Sequence, residues 1–248
     1  MANKTSTAQK GIGYKIKNMT DTNMLLTITI VIFFLMYIGA IVFQGEGFLR
    51  PQTFLSMLNA NGALIITSCG MSLVMITGGI DISVGGVVAL VSMCSAVYLD
   101  YHNGSILGAV LISLGIGLAF GIVQGYLVAY LDIQPFIVSL AGMFFARGMT
   151  TIVNTNPFNV QNEAFVALKD TRVIVPGLGS VNKLGRYVDA YVEIGVVVAL
   201  LVVILMFIML RWTKLGRSFY AVGGNQQSAL MLGINVRRTK FLSHLICS

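Results

Sequence analysis

Long apolar stretches separated by short polar connections run along most of the chain. Stretches without a charged residue cover 22–45, 51–80, 82–99, 101–131, 133–162 (interrupted once, by Arg147) and 194–210. A helix needs about 20 apolar residues to cross a bilayer. The pattern therefore predicts six membrane-spanning helices and the start of a seventh at Phe241.

Composition agrees with a membrane protein. Of the 248 residues, 56% are hydrophobic and 10% are charged, whereas soluble domains contain about 25% charged residues. The first stretch is longer than the apolar part of a signal peptide, and residues 44–46 contain no small-residue cleavage site, so we expect it to be retained. The predicted fold class is an all-α, polytopic transmembrane helical bundle.

Charge predicts how the chain is oriented. The tail of residues 1–21 contains four lysines, and residues 211–240 contain six basic and no acidic residues, whereas residues 154–193 balance four basic against four acidic residues. Because basic loops favour the cytoplasm, we expect the tail and 211–240 to be cytoplasmic and 154–193 to be external. The net charge of +7 then reflects topology and contact with anionic membrane lipid, and no nucleic-acid partner is predicted.

The sequence TGGIDISVGG, residues 77–86, places Asp81 inside apolar sequence. A carboxylate in hydrocarbon costs several kcal/mol unless it faces water, a partner or a helix end. The surrounding glycines interrupt a helix, and broken backbone at membrane depth needs cover from protein or an aqueous cavity. Two compatible interpretations follow: Asp81 caps a helix beginning near Val84, or it joins Thr77 and Ser83 in a polar cluster on a solute path.

Arg147 is a second charge inside an apolar stretch. Its long side chain could snorkel to the membrane surface, tie helices together by pairing with Asp81 or Asp132, or contact a substrate. The three cysteines have no metal-ligand spacing, so no metal site is predicted. Acids and histidines are too scattered for a catalytic constellation, so the chain is not expected to be an enzyme.

Small residues recur every four positions in the fourth span, at Ser113, Gly117, Gly121 and Gly125. This spacing places them on one helical face, where another backbone can approach closely. The pattern predicts tight helix packing but leaves open whether the partner helix belongs to the same subunit.

A short helix is predicted in the basic segment 211–240. Asn225 is a favourable N-cap, residues 226–232 contain no helix breaker, and Gly233 suits the left-handed position after a helix. We expect this helix either to lie on the membrane surface or to insert into another protein.

Three motifs, in order, resemble the membrane permeases of ribose-type bacterial ABC sugar importers. They are residues 77–86, residues 140–148 (LAGMFFARG), and the stretch from Gly216-Arg217 through AVGGN (221–225) to GIN (233–235). The resemblance covers nearly the whole chain. Among the family's branches, the galactofuranose permeases are most similar, chiefly through residues 140–148.

The resemblance implies that an external sugar-binding protein delivers a monosaccharide, that two identical or sister permease subunits form the path, and that two ABC ATPase subunits drive transport. Residues 22–248 would form the permease domain, in the bacterial inner membrane. No phosphate-binding loop occurs in the sequence, so ATP would be hydrolysed on a partner chain and this chain needs no cofactor. Its substrate path would include Thr77, Asp81, Ser83 and Arg147; its ATPase-coupling loop would include Gly216, Arg217, Gly223, Gly224, Asn225 and Gly233.

Two departures from the family pattern leave an alternative open. Many relatives have an acidic pair and an arginine in the coupling segment, where this chain has Gln226, Gln227, Ser228 and Leu230. The family's permeases also continue for several spans, so the resemblance implies that this chain is truncated at Ser248. The alternative is a non-transporting or regulatory membrane subunit, or an inactive truncated permease.

Overall fold

The computed structural model describes residues 21–45, 50–181 and 187–248. Most of the predicted basic tail, residues 1–20, lies outside the described residues. In chain order the elements are α1 (Asp21–Gln44), α2 (Pro51–Ile76), α3 (Val84–Tyr101), α4 (Ile106–Ala129), α5 (Pro135–Val153), α6 (Glu163–Lys169), β1 (Arg172–Val181), β2 (Tyr187–Glu193), α7 (Ile194–Trp212), α8 (Lys214–Gly224), α9 (Gln226–Met231) and α10 (Val236–Cys247).

Within the described ranges, six helices are long and apolar enough to cross a membrane: α1 to α5 and α7. This confirms the six predicted spans and the all-α bundle. The helix expected at Phe241 begins earlier, at Val236, because the side chain of Asn235 accepts a hydrogen bond from the backbone N–H of Arg238 at 2.9 Å and caps it there. An antiparallel hairpin of β1 and β2 was not predicted.

The bundle is built around α3 and α10. α3 packs between α4 and α5, α10 packs on α4 and α2, and α7 also packs on α2. Val87, Leu90, Phe120 and Ala146 form the buried apolar cluster between α3, α4 and α5. In contrast, none of the apolar window of α1 is buried.

The polar connections are sorted into two ends of the bundle. At the first, the break end, lie residues 77–83, 130–134 and 213–235. The ring of Tyr130 contacts that of Phe241, in the first half of α10, with 6.0 Å between centroids. Gly223 of α8 lies against the carbonyl of Ile76 at the end of α2. Most of the predicted cytoplasmic segment 211–240 lies at this end, and its side of the membrane stays a prediction.

The opposite, hairpin end carries β1, β2 and the polar loops of residues 102–105 and 154–162. Gln52 ties α2 to the hairpin, because its Oε1 accepts a hydrogen bond from the backbone N–H of Tyr191 at 2.8 Å. Asp100 at the end of α3 accepts one from the backbone N–H of Gln161 at 2.7 Å.

The small-residue face of α4 contacts α10. A Cβ placed at Gly121 would lie 2.9 Å from the Cα of Leu245, and one at Gly125 would lie 3.0 Å from the carbonyl oxygen of Phe241. Such distances leave no room for a side chain without moving backbone. The small-residue face of α4 therefore packs against a helix of the same subunit.

Replacing Gly121 with leucine is expected to lower the thermal stability of the purified chain in detergent. Overpacking costs about 1–3 kcal/mol, more than the roughly 1 kcal/mol that leaving glycine gains in a helix. Gly115→Leu on the same helix is the matched control, because nothing lies within 4 Å of its Cβ position. Equal unfolding temperatures for the two variants would contradict the close approach of α4 and α10.

Candidate functional site

Two glycines end α2 just before the buried acid. The backbone N–H of Gly78 donates to the carbonyl of Met75 at 3.0 Å, and that of Gly79 donates to the carbonyl of Val74 at 2.9 Å. Gly78 has φ +84°, in the left-handed region that favours glycine. The chain thus leaves α2 and crosses residues 77–83 before α3 begins.

Asp81 is buried inside the bundle, with 2% of its surface exposed. Its Oδ1 accepts two hydrogen bonds from Ser83, one from the backbone N–H at 2.8 Å and one from the hydroxyl at 2.6 Å. Its Oδ2 faces the thiol of Cys247, with 3.8 Å between oxygen and sulfur. Because Cys247 lies in the last turn of α10, the carboxylate contacts the interior of the bundle.

Asp81 accepts one backbone N–H at the start of α3, as the capping interpretation expects, but it does not cap the first turn of the helix. α3 begins at Val84, as expected, but its N-cap is Ser83 and no side chain caps its first turn. Asp81 lies two residues before the N-cap, so its carboxylate accepts the N–H of Ser83 ahead of the helix.

Gln124 of α4 completes the cluster around Ser83. Its amide nitrogen donates to the Ser83 hydroxyl at 2.9 Å, and that hydroxyl donates to Asp81. Gln124 is 3% exposed. Gly142, from the second sequence motif, lies directly against the Gln124 amide. The two motifs therefore meet at one network, Gln124 to Ser83 to Asp81, which we call the Asp81 network.

Thr77 does not join the Asp81 network. Its hydroxyl donates to the carbonyl of Val74 at 2.9 Å and contacts the hydroxyl of Ser243 at 3.3 Å. Both residues are buried. The predicted cluster of Thr77, Asp81 and Ser83 is thus divided in two, and α10 contacts each part, through Ser243 and through Cys247.

Sequence reasoning missed Gln124 and Ser243. A signal for Gln124 was present, because it is the one amide side chain in the apolar sequence of α4, and polar residues inside spans usually face other helices. Ser243 carries no comparable signal, because α10 also contains other polar residues.

A cavity of about 530 Å³ lies beside the Asp81 network. Its walls are mostly apolar and come from α2, α3, α4, α7 and α10. The polar side chains that line it include Thr67, Asp81, Ser83, Ser92 and Ser113.

Arg147 lies apart from this site. It is exposed on α5, whereas its neighbour Ala146 is fully buried against α3. In the described structure it forms no ion pair with Asp81 or Asp132. The predicted tie between helices is therefore not formed by these residues.

The predicted short helix is confirmed at the break end. The side chain of Asn225 accepts a hydrogen bond from the backbone N–H of Ser228 at 2.9 Å, and α9 runs from Gln226 to Met231. Gly233 has φ +77°, and the backbone N–H of Ile234 donates to the carbonyl of Ala229 at 3.0 Å. Both ends of α9 are closed by local backbone geometry.

The remaining loop glycines serve close packing. Gly216 is buried against the carbonyls of Met209 and Leu210, so the start of α8 packs closely on the end of α7. Gly223 lies against Ile76, whereas Gly224 faces open space.

α9 presents an apolar tip to its surroundings. Leu230, Met231 and Leu232 are 59%, 88% and 77% exposed. Beneath them, Val222, Ala229 and Val236 form a buried cluster that fixes α9 on α8 and α10. In the part of the chain that the structure describes, no three His, Cys, Asp or Glu side chains are arranged to hold a metal ion.

The chain has the features of a polytopic membrane transport subunit. It combines six apolar spans and an apolar-tipped helix outside the bundle with a buried carboxylate at a break between two helices, and such breaks and charges mark solute paths. A family profile described as branched-chain amino acid transport system, permease component, matches residues 53–248, and the chain belongs to this family.

Curated relatives are sugar and ABC transporter permeases. The chain is 33% identical to the fructose import permease protein FruG of Bifidobacterium longum over 98% of the chain and 68% of FruG. It is 33% identical to the inner membrane ABC transporter permease protein YjfF of Escherichia coli, over 92% of the chain and 65% of YjfF. It is 29% identical to the ribose import permease protein RbsC of Escherichia coli, over 86% of the chain and 63% of RbsC. The resemblance to ABC sugar permeases is confirmed; no solved structure matches the chain.

Proposed function

We propose that the chain is the membrane-spanning permease subunit of an ATP-driven monosaccharide importer. Similarity to the fructose and ribose import permeases supports this proposal, and the observation that carries its coupling step is the contact of Gly223 with Ile76. Through it, α8, which holds the exposed helix α9, abuts the last residue of α2 before the 77–83 break. A partner that moves α9 would therefore act directly on the segment that positions Asp81.

The apolar tip of α9 is the proposed contact with an ABC ATPase subunit. Met231 and Leu232 are the most exposed of its three apolar residues, and exposed apolar clusters mark contacts with a protein or with the membrane. Residues 211–240 contain no acid, so docking here relies on apolar burial and the basic residues. ATP is bound and hydrolysed on that partner.

The substrate path passes the Asp81 network and its cavity. A neutral sugar is recognised by hydrogen bonds, and Asp81, Ser83 and Gln124 supply carboxylate, hydroxyl and amide groups at one place. The printed names of FruG and RbsC, for fructose and ribose import, support a monosaccharide. Galactofuranose stays a prediction.

We assign the remaining parts of the proposed importer to the two ends of the bundle. The break end and the basic tail face the cytoplasm of the bacterial inner membrane, in which the chain is a multi-pass protein. The hairpin end faces outward and receives the sugar-binding protein. A second permease subunit, identical or a sister chain, completes the path.

Substituting Met231 and Leu232 together with glutamate is expected to abolish capture of the ATPase subunit. Burying two carboxylates in an apolar contact costs far more than the contact gains. The measurement is affinity capture of the full chain from solubilised membranes after co-expression with its natural neighbours. Leu178→Glu, an exposed apolar residue of the hairpin, is the matched control and should capture the ATPase normally.

Capture that survives the double substitution would overturn the role of α9. If the unaltered, correctly inserted chain captures no ATPase, a non-transporting or regulatory membrane subunit becomes the better assignment.

A further inference from the structure

A second pocket, of about 420 Å³, lies at the corner where α7 meets α8. It is separate from the Asp81 network and from the tip of α9. Its lining residues are Phe207, Leu210, Arg211, Arg217 and Tyr220. We propose that this corner binds the head group of an anionic phospholipid. The proposal is independent of what the subunit transports.

The position of the pocket favours a lipid. α7 is an apolar span that ends at Trp212, and Thr213 turns the chain into α8, where its hydroxyl oxygen accepts the backbone N–H of Gly216 at 3.1 Å. Trp212 is 65% exposed and Tyr220 56% exposed. Exposed tryptophan and tyrosine are typical of the boundary between hydrocarbon and water, so the pocket lies at head-group depth.

The charge of the pocket favours an anion. Arg211 and Arg217 are both exposed, and in the described ranges neither has a carboxylate partner. α8 buries Gly216, Phe219 and Val222, which leaves Arg217 and Tyr220 on its outer face beside Arg211. Guanidinium groups bind phosphate oxygens by paired hydrogen bonds.

The apolar wall distinguishes a lipid from an acidic protein segment. Phe207 is 58% exposed on the spanning part of α7, next to the two arginines. A phosphodiester head group with an attached acyl chain satisfies both surfaces at once. A soluble acidic peptide would have to enter the hydrocarbon region to cover Phe207, which is unfavourable for its backbone.

Trp212 is a natural fluorescence probe of the pocket, because it is the single tryptophan of the chain. The centroid of its ring lies 5.8 Å from that of Phe207 in the pocket wall. Brominated lipids quench tryptophan fluorescence on contact. The full chain is placed in phosphatidylcholine vesicles that contain increasing fractions of brominated phosphatidylglycerol or, separately, brominated phosphatidylcholine. Two arginines, each worth about 1 kcal/mol at a membrane surface, together predict a preference for phosphatidylglycerol of roughly 25-fold.

Matched variants test whether the preference for phosphatidylglycerol arises at the corner of α7 and α8. Arg211→Gln with Arg217→Gln should reduce the preference to near unity, and Arg211→Lys with Arg217→Lys should retain part of it. Arg237→Gln with Arg238→Gln removes the same charge from an exposed pair at the start of α10 and should leave it unchanged. Size-exclusion profiles of each variant establish that it is folded.

Three outcomes would overturn the proposal. Equal quenching of the unaltered chain by both lipids excludes a lipid preference. Loss of the preference on adding inorganic phosphate at constant ionic strength indicates a site for free anions. If the Gln pair keeps the lipid preference but loses ATPase capture, the corner is a protein-docking surface.

Discussion

Replacing Gly223 with alanine is expected to lower the thermal stability of the chain and weaken ATPase capture. The new methyl group would overlap the carbonyl oxygen of Ile76, a backbone atom that cannot rotate away. Overpacking of this kind costs about 1–3 kcal/mol and occasionally more. For a chain of this length that corresponds to a fall of roughly 2–4 °C per kcal/mol in the unfolding midpoint.

Gly224→Ala is the matched control for this prediction. Both glycines lie in the last turn of α8, so both variants gain the same roughly 1 kcal/mol of helix propensity, but nothing lies within 4 Å of the Cβ position at Gly224. The difference between the two midpoints therefore isolates the contact with Ile76. If both alanine variants unfold at the same temperature and capture the ATPase equally, α8 does not abut α2 as described.

Features of this chain that depend on local sequence could be predicted. α9 was predicted because its two ends are determined by single residues, Asn225 and Gly233, whose preferences act within a few positions. The spans were predicted because the bilayer sets their length and composition. The hairpin of β1 and β2 was missed, because its pairing joins Arg172 to Glu193 across a segment that contains proline and glycine.

The candidate site was predicted only in part for the same reason. The position of Asp81 in apolar sequence indicated burial, and Asp81 and Ser83 are buried together. The contacts of the Thr77 and Arg147 side chains depend on which helix packs beside each of them. Spans that are apolar on all sides carry almost no periodic signal for that choice, so sequence could not place Thr77 with Ser243, nor Arg147 on an exposed face.

Substituting Asp81 with asparagine is expected to preserve the fold but reduce monosaccharide uptake by about tenfold in the assembled importer. The asparagine oxygen still accepts both hydrogen bonds from Ser83, whose donors lie 2.8 and 2.6 Å from Oδ1. What is lost is the charge beside the cavity. A hydrogen bond to a charged group contributes about 1.5–3 kcal/mol and a neutral one about 1 kcal/mol. A path that uses the carboxylate during sugar passage therefore loses about 0.5–2 kcal/mol, a range that includes the roughly 1.4 kcal/mol of a tenfold change.

Alanine at the same position separates structure from transport. Asp81→Ala leaves the buried N–H of Ser83 without its acceptor, at a cost of about 1–3 kcal/mol, so it should lower the unfolding midpoint as well as uptake. The Ser83 hydroxyl keeps an acceptor, because the Oε1 of Gln124 lies 3.2 Å away. Asp132→Asn, in the exposed turn at the same end of the bundle, is the control and should affect neither; its φ of 56° is tolerated by asparagine. Unchanged uptake in Asp81→Asn, measured with labelled sugar in vesicles at normal assembly, would limit Asp81 to holding Ser83 and the start of α3 in place.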